Sequence, residues 1–182
     1  MTTKKISRKL DDYKKIRELF DTSFPEEERT PMWILELISH RKNVEFLAYY
    51  DEGKLCGVSC TFFDKKNVFV LYLAVNSTVR SKGYGSQILQ SIKNLSEGKP
   101  VYVVIEPVIK NCANFEQRTK RLNFYSKNGF FQTRFIMQDS SGQYQVLCTQ
   151  KDIMQDEYSR ALKKLSLGLY APKILDISDL ME

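Results

Sequence analysis

A glycine-containing stretch in the middle of the chain, VRSKGYG, has the residue types of an anion-binding turn. It follows the apolar run VFVLYLAV and precedes a segment with helical spacing, which predicts a strand, a turn and a helix in that order. The first backbone N–H groups of a helix have no partner within it, and the helix dipole favours negative charge there. Gly83 and Gly85 let the backbone approach an anion closely, while Arg80 and Lys82 add positive charge. We therefore predict that this turn holds a phosphate group.

The spacing of the glycines excludes two common phosphate-binding motifs. The nucleoside-triphosphate loop GxxxxGK[ST] is absent, because neither Gly83 nor Gly85 has a Gly-Lys pair at the required distance. The dinucleotide motif GxGxxG is also absent, because Ile88 occupies its third glycine position. The pattern that is present is Arg80-x-x-Gly83-x-Gly85.

Positive charge is concentrated around this turn. The chain has a formal net charge of +6, and residues 78–134 contain ten Lys or Arg and three Glu. A polyphosphate ligand or a nucleic acid would be attracted by such a field. An ordinary solvated basic face explains the charge equally well, so charge alone leaves these three interpretations open.

Composition narrows the class of protein. With 182 residues, 42% of them hydrophobic, the chain is long enough for one domain with a sizeable core. Four cysteines without a CxxC pair and a single histidine argue against a zinc site, and we expect no metal. The N-terminal residues lack the apolar core of a signal peptide, and no apolar run approaches the roughly 18 residues of a membrane span. We expect a cytoplasmic protein with reduced thiols and no membrane partner.

Apolar periodicity and turn residues predict a single mixed α/β domain. Two helices come first, one at residues 10–20 and one that begins at Pro31 with Thr30 as its N-cap. The predicted order is α-α-β-β-β-α-β-α-β-β-α. Its later segments are strands at 44–50, 55–63, 68–75, 101–106, 130–138 and 143–150 and helices at 84–95, 115–127 and 152–166. An apolar tail, GLYAPKILDI, follows.

Two motifs resemble those of a known superfamily. Arg80-x-x-Gly83-x-Gly85, entered from a strand that ends LYLAV, resembles motif A of the GNAT superfamily of N-acetyltransferases, in which [RQ]xxGx[GA] binds the pyrophosphate of acetyl-CoA. LNFYSKNGFF looks like motif B, a FYxxxGF junction between a helix and a strand. The order of the predicted elements also matches, and the resemblance covers roughly residues 5–150.

The resemblance implies a single-domain GNAT acyl-CoA N-acyltransferase fold, with a mixed central sheet of about six to seven strands flanked by helices. Residues 1–150 would form the acetyltransferase domain, and residues 151–182 a C-terminal helix and tail packed on the same domain. The strand before the turn would diverge from the next strand, and the pantetheine arm of acetyl-CoA would fit between them. The implied cofactor-binding positions are the backbone of Leu73 and Val75, with Leu73 N–H as the oxyanion donor, and a pyrophosphate site at Arg80, Ser81, Lys82, Gly83, Tyr84, Gly85 and Ser86.

Acyl transfer to an amine needs an acid for the departing thiolate and a base for the attacking ammonium. The resemblance places the acid at Tyr125 in motif B, the alternative being a half-buried core tyrosine with a satisfied hydroxyl. The strand glutamate that serves as base in some members is Phe69 here. Glu106, at the end of its strand, is the candidate substitute. Glu27 and Glu28, between the first two helices, are candidate acceptor-binding residues unless their loop is merely solvated.

Three further side chains have two interpretations each. Arg118 and Arg121 lie one turn apart on the motif B helix, where they contact acetyl-CoA or an acidic acceptor, or else pair with Glu116 or Glu106. Trp33 is a candidate wall of the acceptor site, or a core residue of an amphipathic helix.

The implied function is acetyl-CoA-dependent transfer of an acetyl group to a primary amine of a small molecule or a protein, by direct attack through a tetrahedral intermediate. The alternative is a non-catalytic acyl-CoA-binding or sensing domain, which would keep no role for Tyr125 in turnover. A nucleic-acid-binding module ranks last, because basic and aromatic residues are not interleaved beyond the ordinary. The acceptor stays open, as does whether the tail covers its own domain or a second copy in a homodimer.

Overall fold

The computed structural model describes residues 1–79, 82–110, 112, 114–151, 153, 155–165 and 172–177. This part of the chain contains eight strands and five α-helices, which confirms the mixed α/β class with eight strands where six to seven were expected. Contacts divide the chain into two compact units. Unit 1 comprises Met1–Phe63 and Phe69–Gly98, and unit 2 comprises Asp64–Val68 and Lys99–Glu182.

Unit 1 contains the strands and helices of the N-terminal half. Its strands are β1 (Thr2–Lys5), β2 (Val44–Asp51), β3 (Lys54–Phe63) and β4 (Val68–Val75), and only the first residue of β4 is grouped with unit 2. They follow one another in the order β1-β2-β3-β4, and β1–β2 and β2–β3 are antiparallel. Its helices are α1 (Tyr13–Ser23), α2 (Met32–Ile38) and α3 (Tyr84–Leu95), with 3-10 turns at Glu26–Glu28 and Ser77–Val79.

The core of unit 1 forms around β3, which is buried along almost its entire length. Ile16 and Phe20 of α1 and Ile88 of α3 are buried and provide apolar surface from their helices. Gly57 of β3 leaves no room for a side chain, because an added Cβ would meet the Ala74 carbonyl oxygen at 2.5 Å and Ile88 Cδ1 at 2.8 Å. β4 and α3 therefore approach β3 at a distance that requires glycine.

Unit 2 contains β5 (Val101–Ile105), α4 (Phe115–Lys127), β6 (Phe131–Gln138), β7 (Gln143–Cys148), α5 (Gln155–Leu165) and β8 (Lys173–Asp176). The strands follow the order β5-β7-β6-β8, and all three neighbouring pairs are antiparallel. The β6–β7 register shifts between Gln132 and Ile136, which is a bulge in β6. Buried Gln145 of β7 stabilises this irregularity, since its Nε2 donates to the Thr133 carbonyl oxygen at 2.8 Å.

Most predicted elements are confirmed, with ends that differ by up to three residues. The pattern misses β1 and β8, and the N-cap of α2 is Pro31 rather than Thr30. β8 falls in the apolar tail, of which residues 168–171 lie outside the described residues, as do residues 152, 154 and 166 of the predicted last helix. The division at residue 150 stays a prediction. No described helix is both long and apolar enough to span a bilayer.

Candidate active site

The end of β4 is held in place by Asn76. Its backbone N–H donates to the Cys56 carbonyl oxygen at 2.8 Å, and its Nδ2 donates to the Leu55 carbonyl oxygen at 3.0 Å. Its Oδ1 accepts from the Thr78 N–H at 3.1 Å and from the Thr78 hydroxyl at 3.0 Å. One side chain thus joins the strand end to β3 and organises the turn Ser77–Val79 through local hydrogen bonds of the Asx type.

The glycine turn opens α3 with the geometry expected of an anion site. Gly83 is the N-cap at φ +80°, a left-handed conformation that glycine adopts without strain. The first turn of α3 holds no acidic residue, and such a turn leaves its N–H groups without partners inside the helix. Lys82 is exposed beside it. Arg80 and Ser81, two of the predicted pyrophosphate residues, lie outside the described residues.

Tyr84 fixes the orientation of this first turn. Its hydroxyl donates to Asp51 Oδ2, at the end of β2, at 2.8 Å. This hydrogen bond is the main cause that raises the pKa of Tyr84 to about 12. Gly85 is buried and Ser86 is exposed on the same turn. The described members of the predicted pyrophosphate site therefore form one continuous segment, residues 82–86, at the helix start.

The predicted backbone positions on β4 are half-buried. Leu73 and Val75 both have this intermediate exposure, on either side of buried Ala74. Phe69, at the position where some members of the superfamily carry a glutamate, is buried with its ring centroid 6.0 Å from that of Phe62. The side chain at position 69 therefore supplies packing and no carboxylate, as the sequence indicates.

The candidate acceptor residues lie between α1 and α2. Glu27 is exposed and Glu28 is half-buried in the 3-10 turn. Trp33 is 56% exposed, so its interpretation as a core residue is wrong and its candidacy as a wall of an open site remains. Tyr72 of β4 contacts this region, because its hydroxyl accepts the backbone N–H of Thr30 at 2.8 Å. Tyr72 thus connects the two predicted regions: it precedes Leu73, a predicted cofactor-binding residue, and it is hydrogen-bonded to Glu28, a predicted acceptor-binding residue.

In unit 2, Glu106 is surrounded by hydrogen-bond donors. Its Oε1 is 2.8 Å from Arg118 Nη2 and accepts from Asn114 Nδ2 at 3.2 Å, and its Oε2 accepts from Arg121 Nη1 at 3.1 Å. Arg118 also donates to the Pro107 carbonyl oxygen at 2.9 Å. The ion-pair interpretation of the two arginines is therefore confirmed, with Glu106 as the shared partner. Three donors occupy most of the acceptor capacity of this carboxylate.

Tyr125 of α4 is buried between two aromatic rings. Phe124 and Phe130 meet it edge-on, at 5.1 Å and 5.5 Å between centroids. Burial raises the pKa of Tyr125 to about 12, although nearby Arg121 acts in the opposite direction. Its phenol is therefore protonated at neutral pH, which is the state that a general acid needs.

Comparison with known proteins agrees with the resemblance seen in the motifs. Residues 42–132, half of the chain, match the sequence pattern of the family described as "Acetyltransferase (GNAT) domain". The chain belongs to the GNAT acetyltransferase family. The matched range includes both motifs and extends from just before β2 into the start of β6. No curated protein matches the chain in sequence.

Solved structures share the GNAT fold of this chain at low sequence identity. A GNAT-family protein from Bacteroides thetaiotaomicron is 18% identical with a TM-score of 0.73, over 93% of this chain and 100% of that one. An aminoglycoside 6'-N-acetyltransferase complexed with coenzyme A is 13% identical, with a TM-score of 0.61 over 81% and 96%. Arabidopsis thaliana Naa50, in complex with the bisubstrate analogue CoA-Ac-MVNAL, is 17% identical with a TM-score of 0.59 over 82% and 97%. At these identities the likeness shows the fold.

Sequence reasoning missed three residues that contact the candidate site. Asn76 carries a local signal, because Asn two positions before Thr78 after a strand is typical of an Asx turn. Asp51 and Tyr72 carry none, since their partners Tyr84 and Thr30 lie 33 and 42 residues away. Among the described residues, no group of three or more His, Cys, Asp or Glu side chains is placed to hold a metal ion.

Proposed function

We propose that the chain is an acetyl-CoA-dependent N-acetyltransferase that transfers an acetyl group to a primary amine of a small molecule or a protein, by direct attack through a tetrahedral intermediate. The observation that carries this proposal is the first turn of α3, where a left-handed Gly83 and exposed Lys82 begin a helix without acidic residues, in a chain of the GNAT family. Acetyl-CoA supplies the activated acetyl group and an anionic pyrophosphate. Such an anion suits a helix N-terminus.

The residues at the start of α3 suit a pyrophosphate in both shape and charge. A Cβ added at Gly83 would meet no atom within 4 Å, so this position has open space in front of it. The N–H groups of residues 83–86 bind the phosphate oxygens in the proposal, and Arg80, Ser81 and Lys82 add charge and donors. On β4, the N–H of Leu73 polarises the thioester carbonyl and stabilises the oxyanion, while the backbone of Val75 pairs with the pantetheine arm.

The proposed proton transfers use one tyrosine and one carboxylate. Tyr125 gives its proton to the departing thiolate, and its raised pKa means that the phenol is protonated at neutral pH before this step. Glu106 is the proposed base and acts through a water molecule. Its three protein donors leave the carboxylate limited capacity to accept a further hydrogen bond from that water. Glu27 and Glu28 attract a cationic acceptor, and Trp33 forms a wall for it.

The acceptor class in the proposal includes both small and peptide amines. One similar structure is by name an aminoglycoside 6'-N-acetyltransferase. Another is bound to the bisubstrate analogue CoA-Ac-MVNAL. Exposed Glu27 and Trp33 combine charge with an apolar surface, which supports a cationic acceptor that also has apolar parts.

The first experiment is calorimetric titration of the wild type, Gly83→Asp and Gly83→Asn with acetyl-CoA. Both replacement side chains tolerate the left-handed conformation better than other residues and have the same size, so the pair differs in charge. We expect micromolar binding by the wild type, weaker binding by Gly83→Asn and none by Gly83→Asp. A folded wild type that binds no acetyl-CoA would overturn the proposal, and the basic face would then be tested against nucleic acid.

The second experiment detects thiol release from acetyl-CoA with a panel of an aminoglycoside, a polyamine and a peptide with a free α-amine. Release that depends on one of these amines supports the transferase. A wild type that binds acetyl-CoA and releases no thiol with any amine supports the alternative, an acyl-CoA-binding domain.

A further inference from the structure

The hydroxyl of Tyr72 is bonded to residues 28–30 at three atoms. It accepts the backbone N–H of Thr30 at 2.8 Å, and its single proton faces two acceptors at 3.0 Å each, the Glu28 carbonyl oxygen and Thr30 Oγ1. These contacts link β4 to a segment 42 residues away in sequence. A half-buried hydroxyl satisfied by backbone groups of another segment restrains the position of that segment.

The ring of Tyr72 packs against two phenylalanine rings of the α1 region. Its centroid is 5.0 Å from that of Phe20 and 5.0 Å from that of Phe24, and the two phenylalanine rings are 5.2 Å apart. Both contacts to Tyr72 are edge-on, which is a favourable arrangement of aromatic rings. Burial raises the pKa of Tyr72, so its hydroxyl stays protonated over the working pH range.

A second anchor holds the same segment from α1. Arg29 Nη1 donates to Asp21 Oδ1 at 2.7 Å, and the backbone N–H of Arg29 donates to the Glu26 carbonyl oxygen at 3.2 Å. Residues 26–30 are therefore fixed between α1 on one side and Tyr72 of β4 on the other. Glu27 lies between these two anchors with its side chain exposed.

We propose that Tyr72 is a positioning residue that fixes residues 26–30 beside Leu73 and so sets the distance between an amine bound at Glu27 and Glu28 and the acetyl carbonyl. This rests on the proposed function, because it assumes that Leu73 N–H receives the carbonyl. Tyr72 and Leu73 are adjacent on β4. A shift of residues 26–30 relative to Tyr72 therefore also changes the distance between the bound amine and the carbonyl at Leu73. Tyr72 itself touches neither acetyl-CoA nor the acceptor in this proposal.

The test compares three variants with the wild type. Tyr72→Phe keeps the ring against Phe20 and Phe24 and removes the hydroxyl. Tyr49→Phe is the control, since Tyr49 is a buried tyrosine of unit 1 whose hydroxyl forms a hydrogen bond with Ser59 Oγ at 2.9 Å, away from residues 26–30. Thr30→Val removes one partner of Tyr72 at a half-buried position and serves as a milder variant if Tyr72→Phe does not fold.

The first readout does not depend on catalysis. Trypsin cleaves after Arg29 only when the segment opens, and mass spectrometry of fragments that begin at Thr30 gives the rate. We expect cleavage about tenfold faster in Tyr72→Phe than in Tyr49→Phe, from the loss of hydrogen bonds to two backbone groups. Equal rates in these two variants would overturn the proposal, whatever the activity of the wild type.

The second readout uses steady-state kinetics with the best amine of the panel. We expect the KM for the amine to rise about tenfold in Tyr72→Phe, with the KM for acetyl-CoA unchanged and both constants unchanged in Tyr49→Phe. Faster cleavage with an unchanged amine KM would also overturn the proposal, because the segment would then have only a structural role. A wild type that acetylates no amine removes the proposed function and this inference with it, while the cleavage rates still report whether Tyr72 holds the segment.

Discussion

Tyr84, at the first position of α3, donates its hydroxyl proton to Asp51 at the end of β2, at 2.8 Å. Asp51 is followed by Glu52 and Gly53, which have positive φ values of 47° and 75°. Two successive residues of this kind make a tight two-residue hairpin turn that matches strand twist. The proposed pyrophosphate turn is therefore attached to a short, well-defined hairpin as well as to its own helix.

The Tyr84–Asp51 contact predicts a specific effect on cofactor binding. In Tyr84→Phe the start of α3 loses its attachment to the hairpin, and we expect the Kd for acetyl-CoA to rise by roughly two- to fivefold, the range for an interaction near the surface. Titration calorimetry measures this directly. Tyr50→Phe is the matched control, because the Tyr50 hydroxyl also donates to a carboxylate, Asp12, at 3.0 Å. An equal rise in both variants would contradict a role for the Tyr84 contact.

Gly57 predicts a stability effect. The Cβ of Gly57→Ala would meet the Ala74 carbonyl oxygen at 2.5 Å and Ile88 Cδ1 at 2.8 Å, so β4 and α3 must move away from β3. We expect the free energy of unfolding to fall by about 1–3 kcal/mol, as for other overpacked cores. Urea unfolding followed by fluorescence gives this value.

The double variant Gly57→Ala with Ile88→Val locates the source of that strain. Ile88→Val removes Cδ1 but leaves the carbonyl contact of Ala74, whose backbone has little freedom to move. We expect it to recover only part of the loss caused by Gly57→Ala, after correction for Ile88→Val alone. Complete recovery would show that the side-chain contact is the whole cause.

The parts of this fold that sequence predicts are those with local causes. The left-handed conformation of Gly83 follows from a glycine between an apolar strand and an apolar helix face, and the helix α3 follows from its own periodicity. The burial of Phe69 likewise follows from its place in a continuous apolar run. Local pattern alone is therefore sufficient to predict a glycine turn at the start of a helix.

The parts that sequence does not predict depend on distant partners. β1 consists of Thr2–Lys5, four exposed residues with no apolar alternation, and is a strand because β2 pairs with it. β8 is likewise a strand because it pairs with an existing strand, β6. The exposure of Trp33 depends on which face of α2 meets the core, and a seven-residue helix gives too short a pattern to decide it.

We predict that replacing Glu106 affects stability and turnover, and that the two effects can be measured separately. Glu106→Gln removes the charge that pairs with Arg118, a side chain only 17% exposed, and with Arg121. We expect a loss of about 1–3 kcal/mol in the free energy of unfolding, because a guanidinium is left without its anion. We also expect kcat to fall by about a hundredfold if the base role is correct. Urea unfolding and steady-state kinetics measure the two effects independently.

The control for this substitution is Glu116, on the helix α4 that carries Arg118 and Arg121. Glu116→Gln changes an 88% exposed glutamate whose only described ion pair, with Lys120, is 3.8 Å long. We expect neither stability nor kcat to change. If Glu106→Gln loses stability at unchanged kcat, then Glu106 anchors α4 and another group is the base.

Tyr125 predicts a loss of turnover without loss of binding. Tyr125→Phe keeps the ring between Phe124 and Phe130 and removes only the proton donor, so we expect kcat to fall by about a hundredfold at an unchanged Kd for acetyl-CoA. Tyr158→Phe is the control, since Tyr158 is a buried tyrosine of unit 2 whose hydroxyl is 3.7 Å from Met137 Sδ. Equal kcat in Tyr125→Phe and the wild type would show that Tyr125 is only a core residue.

The raised pKa of Tyr125 also predicts how stability depends on alkaline pH. An unfolded tyrosine has a pKa of about 10, whereas burial raises the pKa of Tyr125 in the folded chain to about 12. Above a pH of about 10 the unfolded state binds fewer protons than the folded state, so the free energy of unfolding falls as pH rises. Tyr49 and Tyr72, whose pKa values burial also raises, act with the same sign. We expect the decrease in Tm between about pH 9 and 11 to be smaller in Tyr125→Phe than in the wild type, and parallel decreases in the two proteins would contradict a buried, protonated Tyr125.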